Sequence, residues 1–194
     1  MDTKPFTKEE RKFIGRLAKE SIKERLMHWN ASPQGIIDKL FKEEIERFPI
    51  LKEQAACFVE LEKNCTLRGC IGSMVPHRPL YGDVVANAMS AAFKDPRFPP
   101  VMDWEIEEIS IEVSVLGDFD DTKKIEDIEI GVHGVSLERS GRKAVLLPKI
   151  ATRYDMTLED FLDAACIRAG IVQGGWDEPD TKLILFKIKD TIVV

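Results

Sequence analysis

Seven residues in the middle of the chain constrain its fold most. Ile109, Ile111, Val113 and Val115 alternate with Ser110, Glu112 and Ser114, and a period of two puts the first set on one face of a strand and the second on the other. Such a strand belongs in an antiparallel sheet covered on one side. The flanking sequence supplies the cover. Thr7 and Glu10 form a capping box, and Ile14, Ala18, Ile22 and Leu26, with Phe13 and Leu17 beside them, predict a long amphipathic helix. Ser32 ahead of Pro33 predicts a second helix, with Ile36, Ile37, Leu40, Phe41 and Ile45 on its apolar face until Pro49 stops it.

Cys57, Val59 and Leu61 alternate with Phe58 and Glu60, and a further extended run covers about 66–74, so the two predict a hairpin through Glu62, Lys63 and Asn64. Pro79 opens a helix rich in small residues, including Ala88 and Ala92, which permit close packing on a sheet. Ser140 and Gly141 join a second hairpin, Thr157 and Asp160 cap a helix that ends at Gly170, and a late strand covers 183–188. Interspersed helices and short hairpin links predict an α+β fold, a mainly antiparallel sheet flanked by helices, rather than a doubly wound parallel sheet. A length of 194 residues predicts one domain over 1–194, with room for two subdomains.

The 28 Lys and Arg residues against 34 Asp and Glu give a net charge of −6, a field that repels phosphate backbones and disfavours nucleic acid as a partner. The first residues are polar, and no later run approaches the ~20 apolar residues of a membrane span. The expectation is a cytoplasmic protein with no membrane partner and four free thiols, Cys57, Cys65, Cys70 and Cys166.

The least ordinary segment is Leu67-Arg68-Gly69-Cys70-Ile71-Gly72, because two glycines weaken a strand and mark a bulge or a close backbone approach. In a regular strand Leu67 and Ile71 share one face, and Arg68 and Cys70 share the other. A guanidinium beside Cys70 would favour its thiolate and make it a nucleophile. The plainer reading makes Cys70 a small buried hydrophobe and Arg68 a surface charge. Of the histidines His28, His77 and His133, the last is the best candidate base, lying between Gly131 and Gly134 where the chain can turn tightly. A strand histidine satisfied by a backbone carbonyl is its plainer reading. Cys65 and Cys70 are separated by four residues rather than two, with no second close Cys/His pair, so the spacing of a structural zinc site is absent. Cys166 lies with Phe161, Leu162 and Ala165 on a helix face and is expected in the core.

The hallmark run, together with Pro79-Leu80, Asp95-Pro96-Arg97-Phe98-Pro99-Pro100-Val101, Ile111-Glu112-Val113-Ser114-Val115-Leu116, Gly131-Val132-His133-Gly134, Leu146-Leu147-Pro148 and Trp176, resembles the AMMECR family. The likeness covers about 58–186. It implies two unequal lobes with the hallmark segment near a cleft between them, and makes Arg68, Gly69, Gly72, Asp95 and Arg97 candidates for ligand contact. Relatives are often associated with a radical-SAM protein and a Memo-like protein, which implies a partner role. The family commonly has glutamine where this chain has Lys149. Cofactor, ligand and oligomeric state are not implied.

Two functions follow as expectations. One is a binding module whose cleft around residues 67–72 takes a ligand or partner segment. The other is a thiol-dependent enzyme with Cys70 as nucleophile, Arg68 as anion stabiliser and His133 as base.

Overall fold

The computed structural model of the chain describes residues 5–120 and 125–194. The elements run α1 (Lys8–Met27), α2 (Pro33–Ile36), α3 (Lys42–Ile45), β1 (Cys57–Lys63), β2 (Thr66–Gly72), α4 (Leu80–Phe93), β3 (Ile109–Asp120), β4 (His133–Arg139), β5 (Arg142–Leu146), α5 (Pro148–Arg153), α6 (Leu158–Ala169) and β6 (Lys182–Val193). The strands are ordered β2-β1-β3-β6-β4-β5, with antiparallel pairs β1–β2, β1–β3, β4–β5 and β4–β6. The fold is α+β.

Two compact units divide the chain. The larger runs to Leu116 and takes back Asp190–Val194, while the smaller holds Gly117–Lys189.

In the larger unit, Thr7 and Glu10 make both bonds of the capping box, and Phe13, Ile14, Leu17, Ala18 and Ile22 of α1 are buried. Helix α4 packs against α1, β1 and β2, and its Ala88, Ala91 and Ala92 are buried in the same core as Val59, Leu61, Ile111 and Val113. The expected second helix runs over 33–45 but is not α-helical throughout. Between α2 and α3, Ile37–Phe41 form a π-turn, whose extra residue delays the helical phase. Ile37, Phe41 and Ile45 thus stay buried at intervals of four, and Leu40, expected inside, is exposed. The alternation of β3 holds except at Ser114, which is buried.

The β1–β2 turn also differs from expectation. Asn64 and Cys65 both have positive φ, 52° and 59°, and Lys63 pairs with Thr66. A two-residue turn of this kind matches the strand twist, so the turn lies further along the chain than predicted. Within β2, Gly69 pairs with Leu61 but Leu67 pairs with Glu62. Arg68 is the extra residue of a β-bulge, which resets the alternation. Ile71 is opposite the core residue Val59 and Leu67 is opposite Glu62, so the expectation that Leu67 and Ile71 share a face does not hold.

The smaller unit centres on Val135, Leu137, Leu146, Phe161, Leu162, Cys166 and Leu185. Ser140 and Gly141, with φ of 52° and 76°, turn β4 into β5. A capping box at Thr157 and Asp160 starts α6, and Gly170 closes it with φ of 72°. Strand β6 continues beyond the expected 183–188 to Val193, and just past its end Val194 exchanges both backbone hydrogen bonds with Ile111 of β3 at 2.9 Å.

The hallmark glycines are demanded by contact. A Cβ on Gly69 would lie 2.2 Å from the Ala91 carbonyl oxygen of α4, and one on Gly72 would lie 2.2 Å from the Phe58 ring. Alanine at either position should destabilise the fold by about 2–4 kcal/mol. Gly69→Ala should cost more, because a helix carbonyl yields less than a ring. Urea unfolding of both variants checks this, and unchanged midpoints would refute the close approach.

Candidate functional site

Strand β2 begins the strand order, so among the described residues one side of its backbone has no strand neighbour. Cys70 meets that constraint with side chains from 95–97. Its N–H donates to Asp95 Oδ2 at 2.8 Å, and its carbonyl accepts from Arg97 Nη2 at 3.2 Å. Asp95 is 4% exposed and also accepts from the Arg97 backbone N–H at 3.1 Å, Nε at 2.9 Å and Nη2 at 2.6 Å. The loop therefore carries its own bidentate pair and uses it to complete the edge of the hallmark strand.

The bulge directs Arg68 elsewhere. Its Nε and Nη2 donate to Glu105 Oε1 and Oε2 at 3.0 and 2.9 Å, Nη1 donates to the Pro99 carbonyl at 2.9 Å, and Nη2 to the Pro100 carbonyl at 3.2 Å. Both side chains of the pair are largely buried, 13% and 12% exposed. Fork-to-carboxylate geometry of this kind fixes orientation as well as adding energy. Arg68 is thus the tie between β2 and the 99–105 loop. A cation within electrostatic reach of the Cys70 thiol is Arg97, whose charged form is favoured first by its hydrogen bond to Asp95, against burial, and then by the charges of Asp95, Cys70 and Glu60. Glu60 is the cross-strand partner of Cys70 and is buried.

Cys70 and His133 fall in different units. The cluster described around Cys70 is drawn from the larger one. His133 opens β4, is 2% exposed, and its Nδ1 accepts from the Glu129 N–H at 3.0 Å. Of the other thiols, Cys65 is exposed while Cys57 and Cys166 are buried, and none of the four is in a disulfide. Burial pushes the Cys57 and Cys166 thiols above their ordinary value. Among the described residues, no group of three or more His, Cys, Asp or Glu is placed to hold a metal, and no helix is long and apolar enough to cross a membrane.

The sequence reading missed three groups. Trp29 and Trp104 are 62% and 68% exposed. They line a groove of about 840 Å³ with Leu26, Pro99, Val101 and Met102, and Arg68 and Glu105 also border it. Asp83, fully buried, accepts from Cys57 N–H, Ser73 Oγ and Asn87 Nδ2, fastening α4 to the start of β1. Glu105 is the third. A lone tryptophan or glutamate in a loop carries no period, and only the fold brings these side chains to their partners.

An α+β protein with a glycine-relieved, side-chain-capped edge strand is the class these observations define. The chain belongs to the AMMECR1 family, whose model matches residues 16–191. It is 38% identical to a Methanopyrus kandleri protein over 94% of this chain and 87% of that one. It is also 31% identical to a Thermococcus gammatolerans protein over 90% and 85% of the respective chains. The crystal structure of an uncharacterised Pyrococcus horikoshii protein matches with a TM-score of 0.83 at 30% identity, covering 94% of this chain and 91% of that one.

Both loop carboxylates are held low. Burial raises the Asp95 carboxyl, but the Arg97 side chain and the Cys70 and Arg97 N–H groups outweigh it and bring it to about 2. The Arg68 hydrogen bond, with the Met102 N–H and the Lys63 charge, brings Glu105 to about 2. A depressed carboxyl contributes stability above its unfolded value, ~4, and loses it as pH falls through about 2. Stability should therefore drop between pH 5 and 2 by on the order of 2 kcal/mol for each carboxyl. Asp95→Asn should be less stable at pH 7 and show a shallower acid slope, measured by urea unfolding at each pH. An unaltered slope would contradict the pairing.

Proposed function

We propose that this protein is a non-catalytic binding module, in which the hallmark segment braces an aromatic groove that receives an apolar segment of a partner protein. The observation that carries the reading is the pair of exposed tryptophans, Trp29 and Trp104, facing a groove bordered by Arg68 of the hallmark run. Exposed aromatic surface is costly to keep in water and is enriched where proteins bind one another. The arginine that fixes the 99–105 loop is held by Glu105 and two carbonyls, as expected of a scaffold for the groove wall. The Memo-like and radical-SAM proteins associated with relatives are the partners to try, in a cytoplasmic setting where the four thiols stay reduced. The chain acts as one domain with two subdomains.

The second reading, a thiol enzyme, draws on the partly exposed Cys70 and the nearby Arg97 guanidinium. It would use Cys70 as nucleophile with Arg97, rather than Arg68, beside it.

Titration calorimetry against the Memo-like and radical-SAM proteins of the same genome separates the two. A binding module should lose about tenfold or more in affinity on Trp104→Ala and keep it on Cys70→Ser. Limiting iodoacetamide near pH 7 should then label exposed Cys65 ahead of Cys70. Preferential labelling of Cys70, with binding or turnover lost in Cys70→Ser and retained in Trp104→Ala, would overturn the binding reading in favour of the enzyme.

A further inference from the structure

A second cavity lies in the larger unit, between the end of α1, the start of α2 and the outer turns of α4. It has a volume of about 410 Å³, and its wall includes Arg25, Arg78, Lys94, Ser90, Met89 and Phe93. Three cations line it and, among the described residues, no Asp or Glu does, in a chain whose net charge is −6.

The commitments of these cations are few. Lys94 makes no ion pair among the described residues, and its helix-capping bond is through the backbone N–H. Arg25 donates one Nη to the Ala31 carbonyl and stacks 5.1 Å from the Trp29 ring centroid. Arg78 uses Nε on His77 at 2.9 Å and on buried Asp83 at 3.2 Å, so Asp83 offsets part of its charge while both terminal nitrogens remain for another acceptor. Cations gathered on a concave wall with only Arg78 paired to a carboxylate repel one another, and the concavity concentrates their field. An anion with two charges relieves that repulsion. Ser90 adds a hydroxyl donor, and Met89, Ala86 and Phe93 form an apolar side that a bare inorganic ion would leave unfilled. The volume is at the small end of the range for organic ligands.

We infer that this cavity binds a small organic phosphate monoester, with the phosphoryl oxygens among Arg25, Arg78 and Lys94 and the organic body against Met89 and Phe93. The site is separate from the groove proposed above, although Trp29 of the groove meets Phe93 of the cavity edge to face, with ring centroids 6.3 Å apart.

Phenyl phosphate is the probe, titrated calorimetrically into the full chain, with inorganic phosphate, phenol and sodium chloride of matched ionic strength as comparisons. Phenyl phosphate should bind more tightly than inorganic phosphate, and phenol should not bind. Lys94→Gln and Arg25→Gln, with folding verified by circular dichroism, should each weaken binding about tenfold. Trp104→Ala, which lines only the groove, should leave it unchanged, so the two sites can fail independently. Heats for phenyl phosphate equal to those of matched salt, or unchanged affinity in both Gln variants, would overturn the assignment.

Discussion

The backbone of Cys70 sets the constraint from which the rest of the larger unit's site is built. An outermost strand must satisfy its outward N–H and C=O groups or leave them to water and to other chains. Here a buried carboxylate and a guanidinium from the 95–97 turn do so. The cost is that Asp95 must be both desolvated and ionised. Arg97 makes this possible by pairing with it through Nε and Nη2. The hallmark strand and the proline-rich loop thus hold each other in place.

Three features of the hallmark run follow from this arrangement and from α4. Gly69 lets the strand approach the Ala91 carbonyl, Gly72 leaves room for the Phe58 ring, and the bulge at Arg68 turns its guanidinium out to Glu105. The motif therefore shapes a surface as much as it presents a thiol. Its consequence is a fixed 99–105 loop that places Trp104 on the same groove as Trp29.

Much of the fold was legible because it is written in periods. The α1 stripe, the β3 alternation, both capping boxes and the Ser140-Gly141 turn are local, and each carries its own signal. What escaped the reading depends on residues brought together from a distance. The π-turn at 37–41 keeps the same apolar residues a continuous helix would use, so composition cannot reveal it. The bulge at Arg68 is fixed by pairing with Glu62 and Leu61, and regular alternation assigned the wrong face to Leu67 as a result. The sequence identified Arg68, Cys70, Asp95 and Arg97 as the notable residues, yet which guanidinium lies near the thiol depended on that one-residue offset. Trp29 and Trp104 are 75 positions apart, and nothing local marks them as neighbours.

The Arg68 fork fixes the loop bearing Trp104. Amide hydrogen exchange by NMR, comparing the wild type with Arg68→Lys, tests it most directly. Lysine keeps the charge but cannot span both Glu105 oxygens and two carbonyls. The Met102 N–H, which donates to Glu105 at 3.0 Å, should exchange about tenfold or more faster in the variant, while the amides of the β4–β5 hairpin keep their protection. Equal protection of Met102 in both proteins would contradict it.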